Sequence, residues 1–188
     1  PRNLFDLHPD WKALLLLARL KERNAESIFG GIAVELEKTG VELLPATTFM
    51  DQALASPELM AGAKLGKRQI RDIDFGWKIA KEIARLDIGQ TVIVKNGTVL
   101  AIEGLDGTNE TIRRGGKLAG TGGAIMIKVS KPDQDMRFDV PVIGVETIRV
   151  AHEAGVRAIA IEAGRTLLLE KPAILEQANR AQISIIGR

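Results

Sequence analysis

The chain has 188 residues, of which 45% are hydrophobic and 27% charged, and its formal net charge is +2. This is the composition of one generous globular domain or of a small domain with an appendage. It has no cysteine, which excludes disulfide frameworks, zinc–thiolate sites, Fe–S clusters and thiol catalysis and leaves oxygen or histidine to hold any metal.

Acidic and basic residues are interleaved and tyrosine is absent, so no nucleic-acid partner is expected. The longest apolar run, residues 13–18, is far short of the ~20 residues that span a bilayer, and a cytoplasmic protein is expected. Pro9 opens a helix expected over 10–23, with Leu14, Leu17 and Ala18 at helical spacing. A second helix is expected over 26–38, stopped by Gly40, and then a short buried strand over 41–44 ended by Pro45. Gly62, Gly66 and the cations Lys64, Lys67, Arg68 and Arg71 form a loop before an amphipathic helix over 69–86. Its core candidates are Ile73, Trp77, Ile79, Ala80 and Ile83.

Two β-branched runs, 91–95 and 98–103, flank Asn96-Gly97, the pair that a type I′ hairpin turn asks for. A short helix over 109–118 and a glycine turn over 120–123 follow. The remainder alternates: strand 124–129, helix 145–154, strands 158–163 and 166–170, helix 172–181 and strand 183–186. That order predicts an α/β fold with a layered mixed sheet, the hairpin supplying its antiparallel part.

The densest polar segment, residues 128–141, follows directly on a strand, where α/β sheets gather their ligand sites. From Asp135 to Val140 polar and apolar residues alternate, so an extended chain puts Asp135, Arg137 and Asp139 on one face. Two carboxylates with a guanidinium and Lys131 suit phosphoryl chemistry: carboxylates hold Mg²⁺ or Mn²⁺ and orient water, and the cations neutralise phosphate oxygens. In a flat strand the two carboxylates stand ~13 Å apart, so joint ligation requires a bend or one helical turn.

A second acidic group, Glu103, Asp106 and Glu110, closes the hairpin; Thr108 and Asn109 there also read as a helix cap. A third group, Glu162, Arg165 and Thr166 around Gly164, reads equally as an anion clamp and as a tight turn. The spacing Gly62-x-x-x-Gly66-Lys67 is one residue short of a P-loop, and His8 and His152 have no visible catalytic partner.

Residues 131–144, KPDQDMRFDVPVIG, closely resemble a signature of the UDP-2,3-diacylglucosamine pyrophosphatase family of lipid A biosynthesis. Residues 99–104 and 159–167 are similar to the family's hairpin strand and late strand, and residues 6–10 to its interdomain segment. The resemblance implies hydrolysis of UDP-2,3-diacylglucosamine to UMP and 2,3-diacylglucosamine 1-phosphate with Mg²⁺ or Mn²⁺.

The mechanism expected from these residues has Asp135 and Asp139 bind or orient the metal and its water, Arg137 and Lys131 neutralise the pyrophosphate, and Glu103 with Asp106 support the metal or hold a second ion. Substrate binding is expected at Lys128, Gln134, Thr108, Glu162, Arg165 and Thr166. The family's usual Glu-Gly-Thr-Asp at the hairpin exit is here Asp106-Gly107-Thr108-Asn109, and an amide at Asn109 is a poorer ligand than a carboxylate. Residues 1–50 are expected to be the end of a Rossmann-like N-terminal domain with its linker, and 51–188 the C-terminal catalytic domain. A homodimer and a peripheral contact with the inner membrane are also implied. A non-catalytic nucleotide-sugar or lipid-binding module is the rival expectation.

Overall fold

The computed structural model describes Trp11, Leu15 and Ala18 singly, all three helical, and residues 25–188 continuously. The rest of the helix expected over 10–23, residues 6–10 and His8 lie outside the described residues. The chain divides into two compact units, Pro1–Thr48 with Asp135–Asp139, and Phe49–Gln134 with Val140–Arg188.

In the first unit, helix α1 (Ala25–Glu37) is followed by a turn that brings Gly40 to a positive φ of 83°. The strand expected over 41–44 does not form: Val41 and Leu44 are exposed and the segment has no strand partner. A short apolar run becomes a strand only where a neighbour takes up its N–H and C=O groups. Residues 135–139 belong to this unit through three contacts. The Phe138 ring stacks on Phe29 at 5.4 Å, Arg137 pairs with Glu37 at 2.8 Å, and Ala46 N–H donates to the Met136 carbonyl at 2.8 Å.

The second unit is built on a six-stranded sheet. Its elements in chain order are β1 (Leu59–Ala61), α2 (Lys67–Arg85), β2 (Thr91–Lys95), β3 (Thr98–Ile102), α3 (Gly107–Ala119), β4 (Ala124–Lys128), β5 (Val142–Ile143), α4 (Val145–Glu153), β6 (Val156–Ile161), β7 (Leu167–Leu168), α5 (Lys171–Arg180) and β8 (Ser184–Gly187). The strand order is β1-β8-β6-β4-β2-β3, with β5 and β7 forming a small separate parallel pair. Strands β4, β6 and β8 are parallel, and β1, β2 and the hairpin partner β3 pair antiparallel. The mixed sheet is as expected, and Asn96 and Gly97 take the positive φ values, 55° and 72°, that a type I′ turn requires.

Three layers follow from the side-chain alternation. On one face Ile93, Met126, Ile159 and Ile185 pack with Ile112, Ile148 and Ile174 of α3, α4 and α5. On the other Val92, Ile125, Ile127, Ala158 and Ala160 pack with Ile73, Ala80 and Ile83 of α2. The central strands are therefore apolar on both faces, as parallel strands between helices must be. Trp77 and Ile79, expected in the core, pack half-buried at its margin. No helix among the described residues is long and apolar enough to cross a membrane.

The approach of α3 to the sheet depends on Gly115, where an added Cβ would stand 2.6 Å from Cβ and Cγ2 of Ile93. Alanine is the better helix former by ~1 kcal/mol, yet the branched, fully buried Ile93 has no room to yield. We expect Gly115→Ala to lower stability by ~1–3 kcal/mol, read as a fall in the thermal midpoint; an unchanged or raised midpoint would refute this packing.

Candidate active site

The parallel strands all end on one edge of the sheet, and β3 runs with them because two antiparallel pairings separate it from β4. That edge therefore collects Glu103 after β3, Thr91 at the start of β2, the amino end of α3, Lys128 at the end of β4, Ser130 just beyond it, and Glu162 after β6. Polar side chains accumulate there because the strand interiors have no place for them.

Two linked clusters occupy the edge. In the first, Lys128, the last residue of β4 and only 4% exposed, donates from Nζ to Thr108 Oγ1 at 2.7 Å. Thr108 in turn donates to Glu103 Oε1 at 2.8 Å, and Gln90 N–H approaches Glu103 Oε2 at 3.3 Å. The Thr91 hydroxyl lies 3.4 Å from that of Thr108. The helix begins at Gly107 without a side-chain cap, so Thr108 is a link in a buried chain where the sequence suggested a cap. Asp106 accepts from Gly104 N–H and pairs with Arg114 at 2.8 Å, which together hold its carboxyl below the usual carboxylate range.

In the second cluster Lys81 of α2 donates to both oxygens of Glu162 at 2.8 Å and to the Ser130 carbonyl at 3.2 Å. Glu162 Oε2 also accepts from Ser130 N–H and Oγ, each at 2.7 Å. Burial alone would push Glu162 up, but Lys81 and Ser130 overcome it and hold the carboxyl below its ordinary value. Glu162, expected to touch substrate, thus braces the end of β4. Beside it, Thr166 Oγ1 is buried without a hydrogen-bond partner, as is Arg165 Nε, whose nearest anion is Glu162 Oε1 at 4.0 Å. Such atoms cost ~1–3 kcal/mol each while unsatisfied, so they mark places for a water or a ligand oxygen.

Residues 131–144 are distributed between the units. Lys131 pairs with Asp87, and its N–H donates to Gln134 Oε1 at 2.8 Å, both within the second unit. Asp135, Arg137 and Asp139 lie in the first. The extended reading of 135–140 is corrected here: Phe138 and Asp139 N–H groups both donate to the Asp135 carbonyl at 3.1 Å, one turn of helical character. The turn lets Arg137 fold back on Asp135 with contacts of 2.9, 3.0 and 3.3 Å, and this guanidinium holds the Asp135 carboxyl below its usual range.

Of the four expected metal ligands, Asp135 and Asp139 share a turn, whereas Glu103 and Asp106 are held by Thr108 and Arg114. Among the described residues no group of three or more His, Asp or Glu is placed to hold an ion. Lys81, Gln90 and Thr91 went unrecognised in the sequence. Lys81 reaches partners 49 and 81 residues away, a separation that no local spacing reveals.

A cavity of about 460 Å³ opens at the opposite edge, between the carboxyl ends of α3 and α4, and is lined by Arg113, Lys117 and Arg157. Two helix carboxyl termini present negative partial charge there, which opposes anion binding.

The LpxI C-terminal domain matches residues 56–186 and the LpxI N-terminal domain residues 1–53. UDP-2,3-diacylglucosamine pyrophosphatase LpxI of Caulobacter vibrioides is 33% identical over 191 residues, a match that covers 96% of this chain and 68% of that protein.

The depressed Glu162 fixes a sign for acid stability. A carboxyl lowered on folding contributes stability above its ordinary value, 4.5, and loses it as pH falls through the folded value. We expect Glu162→Gln to be less stable than the parent at neutral pH and the gap to close as pH drops below 4.5. A gap independent of pH would show that the Lys81–Glu162 pair does not form.

Proposed function

This chain belongs to the LpxI family and is a hydrolase of a pyrophosphate bond; we propose that its substrate is UDP-2,3-diacylglucosamine, the molecule that gives the Caulobacter relative its name. Water adds to one phosphorus of the anhydride, the P–O–P bond breaks, and the bridging oxygen leaves with the other phosphate, giving UMP and 2,3-diacylglucosamine 1-phosphate. The observation that carries the reading is the buried Lys128–Thr108–Glu103 chain at the carboxyl edge of the sheet. The Lys128 ammonium is held in a fixed position by the Thr108 hydroxyl, and a preorganised cation of that kind suits the oxygens of a pyrophosphate.

Each residue then has a role within this reading. Lys128 neutralises charge that builds on a phosphate oxygen, with Thr108 and Glu103 fixing its position, so that no reorganisation is needed as the reaction proceeds. Arg165 and Thr166, with Lys131 and Gln134 on the neighbouring loop, take further phosphate or ribose oxygens. Asp135 and Asp139 orient the attacking water, and Arg137 keeps Asp135 ionised.

The expected ion, Mg²⁺ or Mn²⁺, is commonly held by one or two carboxylates with water and substrate phosphates, and Asp135 with Asp139 on one turn suits that demand. Asp135 would hold the ion with a carboxylate that Arg137 also contacts. When bound, the ion would withdraw charge from a phosphate oxygen. A homodimer and a peripheral membrane contact are part of the same reading, the latter because the substrate is a lipid.

The test is release of UMP from UDP-2,3-diacylglucosamine. Lys128→Met should lower kcat/KM by about 10²–10³, the size of losing one preorganised donor, with circular dichroism unchanged. A loss of only a few-fold would remove Lys128 from the reaction. Substrate binding by the parent without turnover would favour a binding module. For the ion, Mn²⁺ titrated against the protein and followed by paramagnetic resonance should bind the parent and bind Asp139→Asn at least tenfold more weakly. Equal binding would place the metal elsewhere.

A further inference from the structure

The turn between β2 and β3 carries a chemistry of its own, remote from the carboxyl edge of the sheet. Asparagine followed by glycine is the pair most prone to deamidate, because glycine has no side chain to obstruct attack of its backbone nitrogen on the asparagine amide. Of the five asparagines in the chain only Asn96 precedes a glycine. Asn96 and Gly97 are both exposed, so water has access to the amide.

The fold places a clasp on this pair. Asp72 of α2 is only 7% exposed, and its carboxylate accepts Asn96 N–H at 2.8 Å on one oxygen and Gly97 N–H at 2.7 Å on the other. The second bond holds the very nitrogen that would attack. Cyclisation requires that nitrogen to lose its proton and swing onto Cγ of Asn96. The bond to Asp72 must break first, and the carboxylate's charge opposes negative charge developing on the nitrogen. The two bonds also pin the turn at φ values of 55° and 72°, the type I′ geometry, against the rotation that brings the nitrogen to Cγ.

We propose that Asn96 is a latent deamidation site and that Asp72 keeps it closed. When the clasp opens, the Gly97 nitrogen gives its proton to solvent and bonds to the side-chain carbonyl carbon of Asn96. The bond from that carbon to the side-chain nitrogen breaks, and ammonia leaves with a proton returned from solvent, so that a cyclic imide remains. Water opens the ring at either carbonyl and gives aspartate or isoaspartate at position 96, with one water consumed and one ammonia released. In the isoaspartate product the main chain runs through the side-chain carbons, which adds a backbone atom to a two-residue turn and breaks the register of Lys95 with Thr98. Either product adds a carboxylate to the residue that Asp72 already clasps.

The experiment incubates the full chain, Asp72→Ala, Asp72→Asn and Gly115→Ala, each folded and below its thermal midpoint. The tryptic peptide of residues 96–113 is followed by mass spectrometry, with fragment ions locating the change from amide to acid at Asn96. Asp72→Ala should deamidate there faster than the parent by about tenfold or more, the rate equivalent of one hydrogen bond to a charged group. Asp72→Asn, which keeps an acceptor and loses the charge, should fall between the two. Gly115→Ala, expected above to lower stability without touching the clasp, should keep the parent's rate.

Equal rates in the parent and Asp72→Ala overturn the proposal. A slower rate in Asp72→Ala also overturns it, since the carboxylate would then be a base that assists the reaction. Acceleration of Gly115→Ala to match Asp72→Ala overturns it as well, because cyclisation would proceed through general unfolding. Where Asp72→Ala does not fold, Asp72→Asn decides: a rate above the parent's upholds the clasp, and a rate equal to it or lower overturns it.

Discussion

Strands β4 and β6 are buried on both faces, and that requirement places every polar group of the second unit. Ile125, Met126, Ile127, Ala158, Ile159 and Ala160 leave no position along these strands where a charge could be solvated. Lysine appears in β4 only at its final residue, where the layers end and hydroxyl and carboxylate partners from β3 and α3 are within reach. The same confinement explains the Lys81–Glu162–Ser130 brace, which ties α2 to the loops after β4 and β6. Without it the chain leaving β4 would have few internal bonds to define its course.

The edge therefore combines two kinds of polar cluster. One is closed: Glu162 receives bonds from Lys81 and Ser130 and has the character of a structural strut. The other contains a nearly buried ammonium, while Thr166 nearby keeps a buried hydroxyl without a hydrogen-bond partner.

Much of this was legible in the sequence because local chemistry and tertiary structure agree. The Asn96-Gly97 turn and the alternation of helices and strands after Gly123 are carried by backbone demands and core periodicity that few alternatives satisfy. Strand β1 was not legible: three residues with one buried alanine become a strand only by pairing with β8. The run 41–44 failed in the opposite sense, having strand-like residues and no partner. Residues 135–139 show the limit of pattern reading most clearly. Five residues of alternating polarity satisfy a strand, yet the bond from Asp139 N–H to Asp135 and the return of Arg137 onto its neighbour require a turn. The contacts of Lys81, Gln90 and Thr91 depend on which loops meet at the sheet edge, so their residue types carried no sign of them.

The affiliation of residues 135–139 with the first unit has a consequence for how such a protein can be inherited. Sequence similarity divides the chain near residues 53–56, whereas Phe138 finds its stacking partner at Phe29 and Arg137 its carboxylate at Glu37. A recombination event that exchanged the C-terminal portion at the similarity boundary would import a Phe138 and an Arg137 matched to another α1. The signature and the helix it rests on are thus bound to drift together, although more than 90 residues of chain lie between them. Chimaeras of this fold respect its architecture only when the aromatic pair and the ion pair come from one parent.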